Sequence, residues 1–420
     1  MFAKDYIKSL TNEKYADIFN EMYCNEKLLY QNKRYISLLQ TFIESFGDAE
    51  DTVIVSSPGR TEICGNHIDH QRGNIFSATV NIDMIAVANK TDNASINITS
   101  DGKRVFIENI NTYECVPKTP EALVIGVVRE LEKKGYIVGG FNATITSDVL
   151  VGSGLSSSAA FENLIGKIIS GLYNEDSVTV LDVAVAGLYA EKNYYGKPCG
   201  LMDQMVISVG GASLIDFYQE FNPTYRNIDF NLSKYNMSLC IVDTKSSHAG
   251  DGEFDLVPKE YFMVAHSLGK THLIDVDEGE FYEKINVLRK ELGDRPILRA
   301  MHFFEENKRV RECVKAIENE DVGLFLDVIR RSGNSSFKYL QNVYSNKCVE
   351  RQDLSIALAL SEKILGDKGV CRLHGGGFGG TIQAFVLNEF VNEYKEKIET
   401  YFGENSCQVL QIRKRGTIII

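Results

Sequence analysis

The spacing of apolar residues predicts helices in the first fifty residues and strands after them. Five apolar side chains of this segment recur with a helical period, and Gly47 follows them at the position of a helix C-cap. They are Ile36, Leu39, Phe42, Ile43 and Phe46. Apolar runs then predict a buried strand at 52–60, a pair of strands within 75–90 and a strand at 141–149. The turn after this last strand leads into an amphipathic helix at 159–173.

The second half of the chain has a less regular pattern. We predict a strand at 210–217, charged helices across 280–330, and a strand, a glycine-rich loop and a strand or helix at 369–387. Because strands and helices alternate irregularly, the pattern favours an α+β fold over a doubly wound parallel sheet. A length of 420 residues is that of two or three domains. We expect one lobe at 1–220, with a helical extension at 1–50, and a second at 221–420.

Composition and charge exclude several classes of protein. The chain has 45 Lys and Arg against 57 Asp and Glu, a net charge of −12, which disfavours binding to the phosphate backbone of DNA or RNA. It has no apolar run of about 18 residues, and its N-terminus is charged where a signal peptide is apolar. The nine cysteines form no CxxC pair, which is typical of reduced thiols. We therefore expect a cytoplasmic enzyme or sensor that binds neither nucleic acid nor membrane. A monomer is our further expectation, on which composition has no bearing.

The segment VGSGLSSSAAF (151–161) has the residues of a phosphate-binding loop. Gly152 and Gly154 allow the backbone to approach an anion closely, and three serines follow where the predicted helix begins. The amides and the dipole of a helix N-terminus favour a phosphate group. An ordinary turn with serine caps is the alternative, but three consecutive serines between Gly-Leu and Ala-Ala favour the phosphate site. Walker and Rossmann loops are excluded by their spacing.

Three other segments combine polar residues with glycine. Five polar side chains follow the strand at 52–60 within eleven residues, namely Arg60, Glu62, His67, Asp69 and His70. Such a mixture suits sugar hydroxyl groups, which both donate and accept hydrogen bonds. Asp203 lies in the glycine-framed segment GKPCGLMDQM (196–205), where an N-cap is the simpler interpretation. HGGGFGG (374–380) indicates a tight turn or a close approach of the backbone to a ligand.

Taken in this order, the segments resemble the galactokinase branch of the GHMP small-molecule kinases. PGR…GxHxD…G within 58–73 is similar to the galactokinase signature, GSGLSSSAA to the superfamily's phosphate loop, and LHGGGFGG to its third motif. AEKNYYGKPCGLMDQ (190–204) and RAMHFFEENKRV (299–310) are similar to stretches of the sugar-kinase branch. The resemblance implies an N-terminal lobe with a mixed sheet, a C-terminal lobe of helices and antiparallel strands, and an active site between them.

The resemblance also implies transfer of the γ-phosphate of ATP to the anomeric hydroxyl of galactose, with Mg²⁺. Asp203 matches the catalytic aspartate and Arg60 its partner, while Ser158 and Glu191 match the metal-binding positions. The nucleotide-binding positions are Gly152, Ser153, Gly154, Leu155, Ser156, Ser157 and Ser158. The sugar-binding positions are Arg60, Asn66, His67, Asp69, Gly200 and Asp203.

The chain departs from the galactokinase pattern around the sugar. The family's glutamate that contacts the 6-hydroxyl is Asn66 here, and the usual asparagine four positions earlier is Glu62. A family tyrosine of the second lobe is matched by Phe254. Asn66 would admit a uronic acid, and HIDHQ (67–71) is similar to galacturonate kinases, but Glu62 restores a carboxylate nearby. Galactose is the favoured substrate; a galacturonate kinase and a non-catalytic sugar and nucleotide sensor are the alternatives.

Overall fold

The computed structural model describes residues 1–23, 27–100, 102–149, 154–246 and 252–420. The strands are β1 (Val53–Cys64), β2 (Asn74–Lys90), β3 (Ile96–Ser100), β4 (Lys103–Ile107), β5 (Phe141–Ser147), β6 (Ala212–Asp216), β7 (Thr224–Ile228), β8 (Met237–Asp243), β9 (Gly369–Leu373), β10 (Thr381–Leu387), β11 (Cys407–Leu410) and β12 (Ile418–Ile419). The helices are α1 (Ala3–Thr11), α2 (Ala16–Met22), α3 (Leu28–Phe46), α4 (Pro120–Lys133), α5 (Ser157–Tyr173), α6 (Val180–Tyr189), α7 (Met202–Val209), α8 (Leu256–Ser267), α9 (Glu278–Leu292), α10 (Asp294–Glu318), α11 (Val322–Ser335), α12 (Asp353–Leu365) and α13 (Val391–Phe402).

An eight-stranded mixed sheet forms the core of the N-terminal part. Its order is β12-β1-β2-β5-β3-β4, and β6 pairs with the first residues of β2 and then with β7. β3 and β5 run parallel, and the other strand pairs described in this sheet are antiparallel. β1 extends as far as Cys64, so the polar residues near its C-terminal end lie in the cleft between the two parts.

Both faces of this sheet are covered by helices, as the alternating directions of strand side chains require. On one face, Val55 and Ala86 pack in one apolar cluster with α4, α5 and α6. On the other face, Ile54, Ile85 and Val87 pack against α1, α2 and α3. The first fifty residues are therefore a layer of the fold, and α3 ends at the predicted cap, Gly47.

The C-terminal part is built on a four-stranded antiparallel sheet of order β11-β8-β10-β9. Helices α12 and α13 pack on this sheet, while α8, α10 and α11 share a large apolar cluster with residues of the first sheet. These two layered parts confirm the predicted α+β, two-lobed architecture. A cleft between them receives the end of β1 and the loop that joins β9 to β10.

Two details differ from the sequence pattern or go beyond it. The prediction of two strands within 75–90 is wrong, because β2 is one continuous strand. The polar residues in its middle form no turn, since Asn81 accepts a hydrogen bond from the Gln411 amide and Asp83 pairs with buried arginines. The lobe boundary at residue 220 stays a prediction, and β7 and β12, which lie beyond it, pair in the first sheet.

No helix among the described residues is long and apolar enough to cross a bilayer.

Candidate active site

A cavity of about 370 Å³ lies where four segments converge. They are the end of β1 with the turn after it, the N-terminus of α5, the stretch from 191 to 203 that leads into α7, and the β9–β10 loop. Of the predicted site residues, this cavity is lined by Arg60, His67, Asp69, Gly154, Ser156, Ser157, Ser158, Glu191, Gly200 and Asp203. Segments far apart in the sequence thus meet at one place.

Arg60 and Asp203 form a bidentate ion pair in the cavity. Arg60 Nε lies 2.7 Å from Asp203 Oδ1, and Nη2 lies 2.8 Å from Oδ2. The third guanidinium nitrogen, Nη1, donates to the carbonyl of Gly154 at 2.6 Å. Burial raises the pKa of Asp203, but the charge of Arg60 and the hydrogen bonds from Arg60 and Ser156 outweigh it and lower that pKa below its usual value. The carboxylate is therefore ionised at neutral pH.

The N-terminus of α5 opens into the same cavity. Ser156 precedes the helix with φ +62° and its hydroxyl donates to Asp203, while Ser157 and Ser158 form the first turn. Gly154 has φ +71°, and a Cβ there would lie 2.3 Å from Thr381 Oγ1, so this position requires glycine. The first amides of a helix have no partner within it and are suited to an anion.

Leu155, one of the predicted nucleotide-binding positions, does not line the cavity with its side chain. Leu155 is buried in the apolar core, and its contribution near the cavity is its carbonyl, which accepts a hydrogen bond from the Arg60 amide at 3.1 Å. The side chain of Leu155 is thus a packing residue, because an apolar group between two polar loops is drawn into the core. Gly152 and Ser153 lie outside the described residues.

Ser158 and Glu191 bring a hydroxyl and a carboxylate together at the edge of the cavity. Ser158 Oγ donates to Glu191 Oε1 at 3.0 Å, Lys197 Nζ lies 2.6 Å from the same oxygen, and Gln204 Nε2 donates to Oε2 at 3.1 Å. Glu191 lies in a short π-helix, Ala190–Tyr195, a feature often found at functional sites. Oxygen donors of this kind suit Mg²⁺.

Mg²⁺ is compatible with this small donor set. Among the described residues, no group of three or more His, Cys, Asp and Glu side chains is placed to hold a metal ion. Mg²⁺ in phosphoryl-transfer sites is usually bound by one or two carboxylates together with phosphate oxygens and water, so a protein cage is not needed. Glu191 offers one such carboxylate, and the Ser158 hydroxyl lies beside it.

His67 is held in a defined orientation and tautomer. Its Nε2 donates to the carbonyl of Gly376 at 2.8 Å, and its ring packs edge-on against Phe254 with 5.2 Å between the centroids. Burial and the neighbouring His70 lower the pKa of His67 to about 4. The ring is therefore neutral at neutral pH, and Nδ1 is its hydrogen-bond acceptor.

Asp69 and Gly200 lie in close contact on the adjoining wall. A Cβ at residue 200 would come within 2.0 Å of Asp69 Oδ2, so the carboxylate reaches this position only because residue 200 is glycine. Asp69 begins the short 3-10 helix Asp69–Gln71, and its Oδ1 lies 3.7 Å from His70 Nε2. The structure thus joins the turn after β1 to the segment that carries Asp203.

Asn66 does not line this cavity, contrary to the sequence prediction that it binds the substrate. Its side-chain amide is fully buried and donates to the carbonyl of Gly375 at 2.9 Å and to Glu62 Oε2 at 3.2 Å. Its Oδ1 accepts from Asn342 at 2.8 Å and from Ser336 at 3.2 Å. With both donor and acceptor engaged by the protein, Asn66 joins the two lobes behind the cavity wall.

Glu62 lines the cavity; it belongs to the predicted polar cluster but is not one of the sugar-binding positions that the resemblance implies. Lys197 also lines the cavity and is not among the predicted residues. Burial raises the pKa of Glu62, and the charges of Arg372 and Arg60 oppose that rise. For Glu62 the signal is its spacing from Arg60, since residues two apart in a strand share a face. For Lys197 the signal is a positive charge between Gly196 and Pro198.

The chain matches two family models. Residues 40–90 match the galactokinase galactose-binding signature, and residues 122–211 match the N-terminal domain of GHMP kinases. Similar curated proteins include the galactokinase of Glaesserella parasuis, 28% identical over 89% of this chain and 95% of its own length. The galactokinase of Thermotoga neapolitana is 29% identical over 83% of this chain and 97% of its own.

Solved structures share the fold. The galactokinase of Lactococcus lactis, determined with galactose, aligns with a TM-score of 0.78 at 22% identity, over 91% of this chain and 98% of its own. The mevalonate kinase of Methanococcus jannaschii aligns with a TM-score of 0.60 at 16% identity, over 86% of this chain and 98% of its own. The fold and the site therefore define a two-lobed, ATP-dependent small-molecule kinase. The chain is similar to the GHMP kinases and, among them, to the galactokinases.

Proposed function

We propose that the protein transfers the γ-phosphate of ATP to the anomeric hydroxyl of galactose, giving galactose 1-phosphate and ADP. The observation that carries this proposal is the hydrogen bond from Ser156 to Asp203. Because of this bond, the ionised carboxylate that pairs with Arg60 lies directly beside a helix N-terminus suited to phosphate. Galactose is supported by the match of residues 40–90 to the galactose-binding signature and by the relatives named galactokinase.

Asp203 is the group that receives the proton in this mechanism. The anomeric oxygen attacks the γ-phosphorus, the new O–P bond forms, and the bond from the γ-phosphorus to the β–γ bridging oxygen breaks as ADP leaves. In a loose transition state the attacking oxygen becomes acidic only as its bond to phosphorus forms. A carboxylate of low pKa can therefore accept the proton late in the reaction, and until then it orients the hydroxyl.

Arg60 keeps Asp203 ionised and contributes positive charge close to the transferring phosphoryl group. Three of its N–H groups are engaged by Asp203 and Gly154, so its guanidinium is held in place before the substrates bind. The amides of Ser157 and Ser158 are placed to bind phosphate oxygens. This arrangement leaves little reorganisation for the reaction step.

Mg²⁺ would be held by Ser158 and Glu191, and when bound it neutralises charge on the β- and γ-phosphates. Lys197, which now contacts Glu191, adds a second cation on the same side of the cavity. On the sugar side, His67 Nδ1 and the Asp69 carboxylate accept hydrogen bonds from hydroxyl groups, and Gly200 leaves room for that carboxylate.

We also propose that the protein acts as a monomer in the cytoplasm. The cysteines in the described part of the chain are free thiols, which suits a reducing compartment.

The test is ATP consumption with Mg²⁺ and galactose, galacturonate, glucose, arabinose or N-acetylgalactosamine. We expect selective turnover of galactose and a loss of about 10²–10⁴-fold in kcat for Asp203→Asn, with binding of a fluorescent ATP analogue retained. Asp229→Asn, the same change at an exposed carboxylate, is the matched control and should leave kcat unchanged. Nucleotide binding without turnover of any sugar would overturn the proposal in favour of a sensor.

A further inference from the structure

Glu62 has no part in the mechanism above, yet it lines the cavity. It follows Arg60 by two residues on β1, and the pairing with β2 is regular over these positions, from Arg60 opposite Thr79 to Glu62 opposite Ser77. Two such side chains share one face of the strand, about 6.6 Å apart along it. Arg60 and Glu62 therefore lie along one wall, at a separation comparable with the width of a hexose ring.

The Glu62 carboxylate is held rigidly from behind. Its Oε1 lies 3.2 Å from Arg372 Nη2, and its Oε2 accepts from the Asn66 amide at 3.2 Å. Arg372 is itself buried and donates to the carbonyl of Ile63 at 2.6 Å, so it is fixed by the backbone of the same strand. A carboxylate has about four acceptor positions, and two are used here, which leaves acceptor capacity for a ligand in the cavity.

The charges around Glu62 favour a neutral sugar over an acidic one. The positively charged side chains that line the cavity, Arg60 and Lys197, are paired with Asp203 and Glu191. Arg372 lies behind Glu62 and is paired with it. Among the described residues, no further positively charged side chain lines the cavity, so a carboxylate at the far end of the sugar would face Glu62 at a buried site where like charges repel strongly.

We propose that Glu62 determines the choice of substrate by accepting a hydrogen bond from a hydroxyl at the C4–C6 end of the sugar and by excluding sugars with a carboxylate at C6. The inference rests on the proposed function, because it needs the anomeric hydroxyl to lie at Asp203. Glu62 then contacts this end of the sugar, whereas Asn66 does not, because the Asn66 amide is engaged between the lobes.

The test compares Glu62→Gln with the unmodified protein on galactose, 4-deoxygalactose, 6-deoxygalactose and galacturonate. Thr61→Val is the matched control, because Thr61 is the adjacent residue and its side chain contacts Gln383 instead of the cavity. We expect the unmodified protein to discriminate about 10- to 100-fold in kcat/KM against one of the deoxy sugars. That ratio should fall to within about 3-fold in Glu62→Gln, mainly through KM, and stay unchanged in Thr61→Val.

Galacturonate gives the second readout. Its kcat/KM relative to galactose should rise at least about 10-fold in Glu62→Gln, because the repelling charge is gone. Equal losses on all sugars would show a structural role and overturn the inference, as would equal use of both deoxy sugars by the unmodified protein. Glu62→Asp replaces Glu62→Gln if the latter does not fold, and it should weaken the same discrimination. Failure of the unmodified protein to phosphorylate any sugar would refute the proposed function instead.

Discussion

Replacement of Asp83 by asparagine is expected to loosen the layer of N-terminal helices. Asp83 lies on β2 and is fully buried; its carboxylate contacts Arg34 Nη1 at 2.7 Å and Arg413 Nη1 at 2.9 Å. The hydroxyl groups of Ser56 and Tyr23 also donate to it. Since Arg34 is in α3 and Arg413 follows β11, one carboxylate joins the helical layer, the sheet and the C-terminal segment.

The size of the effect follows from the two arginines. Removing one partner of a buried ion pair costs about 3–5 kcal/mol, because it leaves a charge without compensation. Arg34 keeps a second carboxylate, Asp148, at 3.2 Å, and Arg413 keeps two backbone carbonyls. We therefore expect Asp83→Asn to lose about 3 kcal/mol of the free energy of unfolding, at the lower end of that range.

The assay is urea unfolding followed by far-UV circular dichroism, because the chain has no tryptophan. Glu318→Gln is the control: it neutralises a carboxylate of an exposed ion pair with Arg226, for which a loss below about 1 kcal/mol is expected. If the two variants lost the same free energy, or if Asp83→Asn lost less than about 1 kcal/mol, the reasoning from burial would be refuted.

The effect must also depend on pH in one direction. Burial raises the pKa of Asp83, but the charges of Arg34 and Arg413 outweigh it and hold the pKa below its usual 3.8. The group therefore stabilises the protein above pH 3.8, and this contribution is lost as the pH falls through the folded-state pKa. The difference between Asp83→Asn and the unmodified protein should be constant near neutral pH and shrink below pH 3.8.

Three further changes test the site. Gly154→Ala should destabilise the protein more than Gly47→Ala. Both glycines have positive φ, but only a Cβ added at Gly154 would meet an atom within 4 Å, namely Thr381 Oγ1. Equal melting temperatures of the two variants would contradict this reasoning. Lys197→Met should raise the KM for ATP several-fold and leave the circular dichroism spectrum unchanged, whereas an unchanged KM would exclude a role near the phosphates. The profile of kcat/KM against pH should show activity lost near pH 4, where His67 becomes protonated. If the profile instead had an inflection near pH 6.5 that vanished in His67→Asn, the conclusion that the ring is neutral would be wrong.

The elements with strong local signals were predictable from the sequence. Gly47 ends α3 as its position after an apolar stripe indicates, and the glycines of 374–380 form a loop between two buried strands. The two-lobed fold and most residues that line the cavity followed from motifs, because those motifs encode local turns and helix starts.

What the sequence left undecided depends on contacts between distant segments. Asn66 and Glu62 are both buried polar residues near one turn, and only contacts with other elements separate them. Asn342 engages Asn66 behind the cavity wall, whereas Glu62, held by Arg372, is part of the cavity lining. The continuity of β2 likewise depends on Arg34 and Arg413, which satisfy Asp83 from about 50 residues before it and from beyond β11. No local pattern carries this information.

The pairing of β12 with β1 has a consequence for biosynthesis. β1 carries Arg60, and its edge is covered by residues 418 and 419; Thr417 bonds to Ser57 across 360 positions of the chain. A ribosome must therefore synthesise about 360 residues beyond Ser57 before this edge is paired, so the nascent N-terminal part exposes an open strand during that time. Shortening the C-terminal segment should therefore increase the dependence on chaperones during translation before it lowers the stability of the finished protein.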